Sequence, residues 1–188
     1  MPRELRAFLP TLGDPAGLIR TFTGDPGLWL PEARQIGPDR WTMSVRAGAW
    51  SRRVEAHVGS HWRAGRTHWR ALSWDPVSEE SDRWPIERLL PSLDGEIGLH
   101  VTDTDATLML DGRYRPPGGA VGVAIDRAAL HLVARSTADR LLADVAARLS
   151  SEATVLASEP ASDDPRTDPE ASALHADAAD PAEPRRGS

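Results

Sequence analysis

The sequence predicts an α+β fold: a curved antiparallel sheet of about seven strands wrapped around a long C-terminal helix, with two short helices near the N-terminus. Three observations carry this expectation. Alternating apolar and polar segments follow one another at hairpin spacing up to about residue 115. One stretch, residues 118–149, keeps apolar residues at helical spacing. The apolar side chains of the strands collect on one face, and that face needs a cover.

Taken in order, strands are expected near residues 4–9, 32–37, 41–47, 52–59, 66–74, 94–102 and 107–115. Two short helices, near 14–22 and 24–30, fall between the first two strands. Asp14 and Asp25 each precede a proline. An acceptor side chain ahead of a residue that lacks an N–H is helix-start chemistry. Pro116 and Pro117 suit the entrance of the long helix for the same reason. Val121, Ile125, Leu132, Val133, Leu141, Leu142, Val145 and Leu149 form its apolar series. Residues 76–91 connect two strands; a short helix from Ser81 would bring Trp84, Leu89 and Leu90 over a cavity mouth.

Pairing can be tested by sorting faces. With Glu55 opposite Arg70, Ala56 meets Trp69 and Val54 meets Ala71 on the apolar side, while His57 and His68 share the wet side. With Thr102 opposite Thr107, Leu99 meets Leu110, Val101 meets Leu108, and Glu96 meets Arg113 on the wet side. Trp41, Met43 and Val45 supply a third apolar stripe.

Composition narrows the function. The 188 residues contain no cysteine, which removes disulfides and thiolate chemistry. All 22 basic residues are arginine, so Schiff-base chemistry and a phosphate-loop lysine are excluded. The net charge of −6 sits in residues 151–188, with nine acidic residues and three arginines. Residues 1–150 balance at 19 acidic and 19 basic, and a neutral body argues against nucleic acid as a partner. Residues 1–150 are expected to form the domain. The Ala-, Asp- and Pro-rich residues 151–188 are expected to stay disordered, because they offer too little apolar surface to offset chain entropy. No apolar run is long enough for a signal peptide or a membrane span, so a cytoplasmic location is expected.

The run GRYRPPGGAVGVAIDRAALHLVARSTADRLLADVAARL, residues 112–149, resembles the last strand and C-terminal helix of the SRPBCC or START-like superfamily. SLDGEIGL, residues 92–99, fits the same pattern, as does the order of elements. The resemblance spans residues 1–150 and implies the helix-grip fold, with a cavity between sheet and helix. It is similar to bacterial members described as polyketide cyclase/dehydrase and lipid-transport proteins. In this chain the segment between the N-terminal helices and the second strand is short.

Candidate site residues follow from that cavity. Trp41, Met43, Val54, Ala56, Trp69, Leu99, Leu110, Tyr114 and Ile125 are expected to face it. Tyr114 and Trp69 would line it with one phenol and one indole donor, with ordinary core packing as the alternative; for Trp41 and Met43 core packing is the favoured reading. His131, one helical turn from Arg127 and Arg135, is the best acid–base candidate, although an ordinary helix histidine would look the same. His57, His61 and His68 suggest a metal at first sight. They fall in a hairpin with no evident carboxylate ligand beside them, so neither a metal nor a cofactor is expected. Asp94, Glu96 and Asp111 have Arg113 and Arg115 as partners and read as a solvated ion-pair surface. Neither a phosphate loop nor a nucleophile elbow is present.

The expected function is binding of a hydrophobic or amphipathic small molecule, lipid or polyketide-like, without catalysis. A cyclase/dehydratase using His131 or Tyr114 is the alternative, and no matched acid–base pair is visible for it. An interaction module with a filled cavity is a third reading.

Overall fold

The computed structural model describes residues 3–47, 50–76, 90–115 and 127–158. The elements run β1 (Arg3–Thr11), α1 (Pro15–Thr23), α2 (Pro26–Trp29), β2 (Arg34–Gln35), β3 (Arg40–Ala47), β4 (Trp50–Ala64), β5 (Thr67–Pro76), β6 (Ser92–Val101), β7 (Ala106–Arg115) and α3 (Arg127–Ser158). The strands form one antiparallel sheet in the order β1-β7-β6-β5-β4-β3-β2. The helix-grip arrangement is therefore as expected, with α3 packed on the apolar face.

Both short helices begin as the sequence indicated. The Asp14 carboxylate accepts from the Gly17 N–H at 2.7 Å, and that of Asp25 from the Gly27 N–H at 2.8 Å. Each satisfies a donor that the first helical turn leaves open. α1 and α2 meet at a corner whose Leu18, Phe22, Trp29 and Leu30 are fully buried. Phe22 and Trp29 stack with ring centroids 5.2 Å apart.

The inner face of the sheet and α3 share one buried cluster. Leu5, Ala7, Met43, Val54, Val58, Leu72, Ile97, Leu99, Leu108 and Leu110 meet Ala134, Ala138, Leu141, Leu142, Val145, Leu149 and Ala153. Gly95 and Gly112 are partners across β6 and β7. A Cβ on Gly95 would lie 2.4 Å from the Asp111 carbonyl oxygen, so only glycine lets the two strands approach this closely.

Two registers differ from expectation. β6 and β7 slip by two residues: Leu99 pairs with Leu108, Ile97 with Leu110, and Asp94 with Arg113, while Glu96 faces Asp111 rather than Arg113. An even slip changes partners and keeps faces. In β4–β5 the turn is Gly65–Arg66, with Gly65 at φ +61°, and a bulge falls between Val58 and His61. Val54 pairs with Pro76, Ala56 with Trp74, and His61 with Arg70. The slip is five residues at Val54–Val58 and, past the bulge, six at His61–Ala64; with Leu72 and Trp74 turned inward, Trp69 and Arg70 exchange the faces expected of them. Glu55 finds Arg40 on β3 as its partner.

The helix also runs further than expected. α3 continues through Ser158, so residues 151–158 are helical rather than disordered, and Ala153 is buried. Residues 159–188 lie outside the described residues, as do Ile125, Trp84, Leu89 and the expected start of the long helix.

Candidate ligand-binding site

Cross-strand register assembles the site. Trp41, Ala56, Trp74, Leu93 and Tyr114 are successive partners across β3, β4, β5, β6 and β7, one transverse row on the inner face. All five are buried. Met43 and Val54 are partners in the adjoining row. Three of the sequence candidates, Trp41, Ala56 and Tyr114, are thus brought into one line, with Met43 and Val54 beside them.

Tyr114 is 1 % exposed, yet its hydroxyl lies 3.2 Å from Nδ1 of His131 on α3. The rings are tilted by 35° at a centroid distance of 6.1 Å. His131 itself is exposed. The pair therefore joins a buried phenol to an imidazole in contact with solvent, where the described part of α3 begins. A hydroxyl gives or takes one proton along such a bond according to the histidine tautomer.

Trp69 is not part of this site. It points to the outer face, and a Cβ on Gly98 would lie 2.7 Å from its ring carbons, so the indole lies over that glycine. Phe8, Met109, Gly98, Trp69 and Trp62 form a transverse row there. The indole that does reach the inner row is that of Trp74, whose Nε1 donates to the Pro91 carbonyl at 3.0 Å. The sequence reading missed it because the β5 register was wrong in parity. Leu99 and Leu110 are buried in the cluster several residues along their strands from the Tyr114 row, where they act as core.

The histidines regroup as well. His57 pairs with Ser73 on β5. His61 Nε2 and His68 Nδ1 are 3.0 Å apart, with the rings stacked at 18°. Burial pushes both imidazoles below the ordinary histidine value; Arg70 adds to this at His61, and His61 and Arg63 add to it at His68. Among the described residues no three His, Asp or Glu side chains are grouped to hold a metal ion. Asp111 pairs with Arg6 at 3.1 Å on the surface.

Arg70 is the other residue sequence reasoning misplaced. It is buried, and its guanidinium donates to the carbonyls of Phe22, Thr23 and Gly24 at the end of α1 and of Gly59 at the bulge. Two open depressions lie among the described residues. One of about 380 Å³ is lined by Arg40, Glu55, Ala56, His57, Ser73, Trp74 and Asp75. The other, of about 490 Å³, lies along α3 at Leu132, Arg135, Ser136, Asp139, Arg140 and Ala143. No helix among the described residues is long and apolar enough to cross a membrane.

A seven-stranded antiparallel sheet gripping one long helix, with two short helices after its first strand, is a helix-grip fold. Solved structures share it. The aromatase/cyclase ZhuI from Streptomyces sp. R1128 superposes with a TM-score of 0.51 at 12% identity, covering 82% of this chain and 94% of that one. TTHA0849 from Thermus thermophilus gives 0.52 at 13% identity, covering 83% and 99%. The di-domain aromatase/cyclase BexL from the BE-7585A biosynthetic pathway gives 0.51 at 10% identity, covering 81% of this chain and 50% of that one. At these identities the likeness is one of fold. No protein-family model matches the sequence, and no curated protein matches it.

Proposed function

We propose that this protein binds a hydrophobic or amphipathic small molecule, lipid or polyketide-like, between the sheet and the N-terminal part of α3. The observation that carries this is the Tyr114–His131 pair at one end of an otherwise apolar inner row. Apolar burial at roughly 25 cal/mol per Å² would supply affinity, and a phenol placed against it would orient one polar end of the ligand. Trp41 and Trp74 flank the position with rigid aromatic surface. Further along α3, from Ala134 to Ala153, buried side chains fill the interface with the sheet.

Native mass spectrometry of freshly purified protein tests the reading. A co-purifying molecule of lipid or polyketide mass, lost on Tyr114→Ala, is the expected result. Protein at its bare mass, with no uptake of added fatty acid or polyketide, would instead favour a chamber filled by its own side chains.

A second reading, an enzyme of the cyclase or dehydratase kind, has one observation in its favour. Tyr114 and His131 together can deliver and remove a proton inside an apolar site. The fold shared with ZhuI and BexL is consistent with it. Replacing His131 with alanine would then abolish turnover while leaving ligand uptake largely intact.

A further inference from the structure

The α1–α2 corner is held to the sheet by an unusual clamp. Arg70 places four guanidinium hydrogen bonds on backbone carbonyls, those of Phe22, Thr23, Gly24 and Gly59, at 2.6–3.2 Å. No carboxylate is among these partners. Three of the four carbonyls end α1, where helical carbonyls have no partner of their own. Beside the clamp sits the histidine pair: His61 is the cross-strand partner of Arg70, and its Nε2 meets His68 Nδ1. The contact requires one nitrogen to donate and the other to accept, so it needs a neutral acceptor ring.

The corner also carries a defect. Trp29 is fully buried, and its Nε1 has no hydrogen-bond partner. A buried donor without an acceptor disfavours the docked state, and water satisfies it once the corner lifts. Docking is thus opposed by one group and secured by another, an arrangement that a modest change at the clamp can tip.

We propose that His61 and His68 form an acid-sensitive latch on the α1–α2 corner. When both imidazoles are protonated, the two facing nitrogens are both donors, the pair splays, and the added charge weakens the hold of Arg70 on α1. The charged groups facing the pair are Arg63 on β4 and Arg70 on β5, both of which oppose a second proton. β6 places Leu99 opposite His68, and from the corner Asp25 acts on Arg70 in the opposite sense. The depressed pKa values of both histidines keep the latch closed at neutral pH. The latch also has a place in the ligand path. A Cβ on Gly27 would lie 3.0 Å from the Trp41 ring, so α2 sits on one wall of the proposed chamber. This gating role rests on the ligand-binding reading; the latch itself does not.

Amide hydrogen exchange of the full chain without added ligand tests it, read at pH 7.5 and 5.0 and corrected for intrinsic exchange. Peptides covering residues 15–30 should lose protection by about tenfold or more in acid, while those of β6, β7 and α3 do not. The double variant His61→Gln, His68→Gln should keep residues 15–30 protected at both values. Uniform loss over the whole chain, no change at 15–30, or the same change in the variant overturns the proposal. Should the double variant not fold, His61→Gln alone, at an exposed position, serves the same comparison. An NMR titration adds an independent check, because opening and imidazole protonation must share one midpoint. A failure here leaves ligand uptake at neutral pH untouched, so the two readings fail separately.

Discussion

The indole of Trp69 lies over Gly98, its cross-strand partner, closely enough that a Cβ at position 98 would come within 2.7 Å of two ring carbons. The contact explains why an aromatic residue faces outward and is still half-buried. Gly98→Ala should therefore destabilise by about 1–3 kcal/mol in chemical denaturation. Adding Trp69→Ala should recover part of that loss, a non-additivity expected of touching residues.

Gly95→Ala should be more severe. Its Cβ would meet the Asp111 carbonyl oxygen and the Gly112 Cα, which are backbone atoms and cannot rotate away. A loss above about 3 kcal/mol, or no soluble folded protein, is the expected outcome by circular dichroism.

Arg70→Leu removes the donors to the carbonyls of Phe22, Thr23, Gly24 and Gly59. Hydrogen bonds from a charged group contribute about 1.5–3 kcal/mol each and are not additive. The variant should lose at least about 3 kcal/mol in urea unfolding. Arg70→Lys should recover only part, because an ammonium cannot span the same set of carbonyls.

Stability should fall in mild acid. His61 and His68 have folded pKa values below their unfolded value of about 6.5. Their contribution is fully present above that value. It is lost as pH falls through about 6.5 and toward the lower folded values, since the unfolded chain then binds more protons. Urea midpoints measured from pH 8 to pH 5 should decline in the wild type and flatten in the His61→Gln, His68→Gln double variant.

Two truncations should behave differently. Ala153 is buried, and a Cβ on Gly17 would lie 3.2 Å from its own Cβ. Ending the chain at Ser150 should lower the melting temperature. Ending it at Ser158 should leave the melting temperature unchanged, as the composition of residues 159–188 leads one to expect.

Much of this fold is legible in the linear sequence because its signals are local. The two Asp-Pro helix starts, seven alternating segments and the long helical period each depend on neighbours within a few residues. The β6–β7 pairing was off by two residues, and the faces of Leu99 and Leu110 survived because side chains alternate with period two. The β4–β5 pairing was off by five residues before the bulge, an odd number. Matching Glu55 to Arg70 looked favourable in charge, yet Arg40 on a different strand holds Glu55, and Arg70 is turned inward to backbone oxygens. Gly65, at a positive φ in a two-residue turn, was the signal that would have set the register. The shared inner face of Trp41, Ala56 and Tyr114 was legible for the same local reasons. Trp74 and the His61–His68 contact were not, because the contact follows from the Gly65–Arg66 turn and the place of Trp74 from the extra residue between Val58 and His61.

That extra residue has a consequence for how the hairpin tolerates change. With two residues of β4 spanning one of β5, Val58 and His61 share a side although three positions separate them. Removing Ser60 would leave Gly59 alone opposite Ala71 and restore strict alternation, and the far end of the hairpin would keep its faces, His61 on the side of Val58 and Trp62 outward. A single-codon deletion there would straighten the strand and leave both histidines on the face they now share.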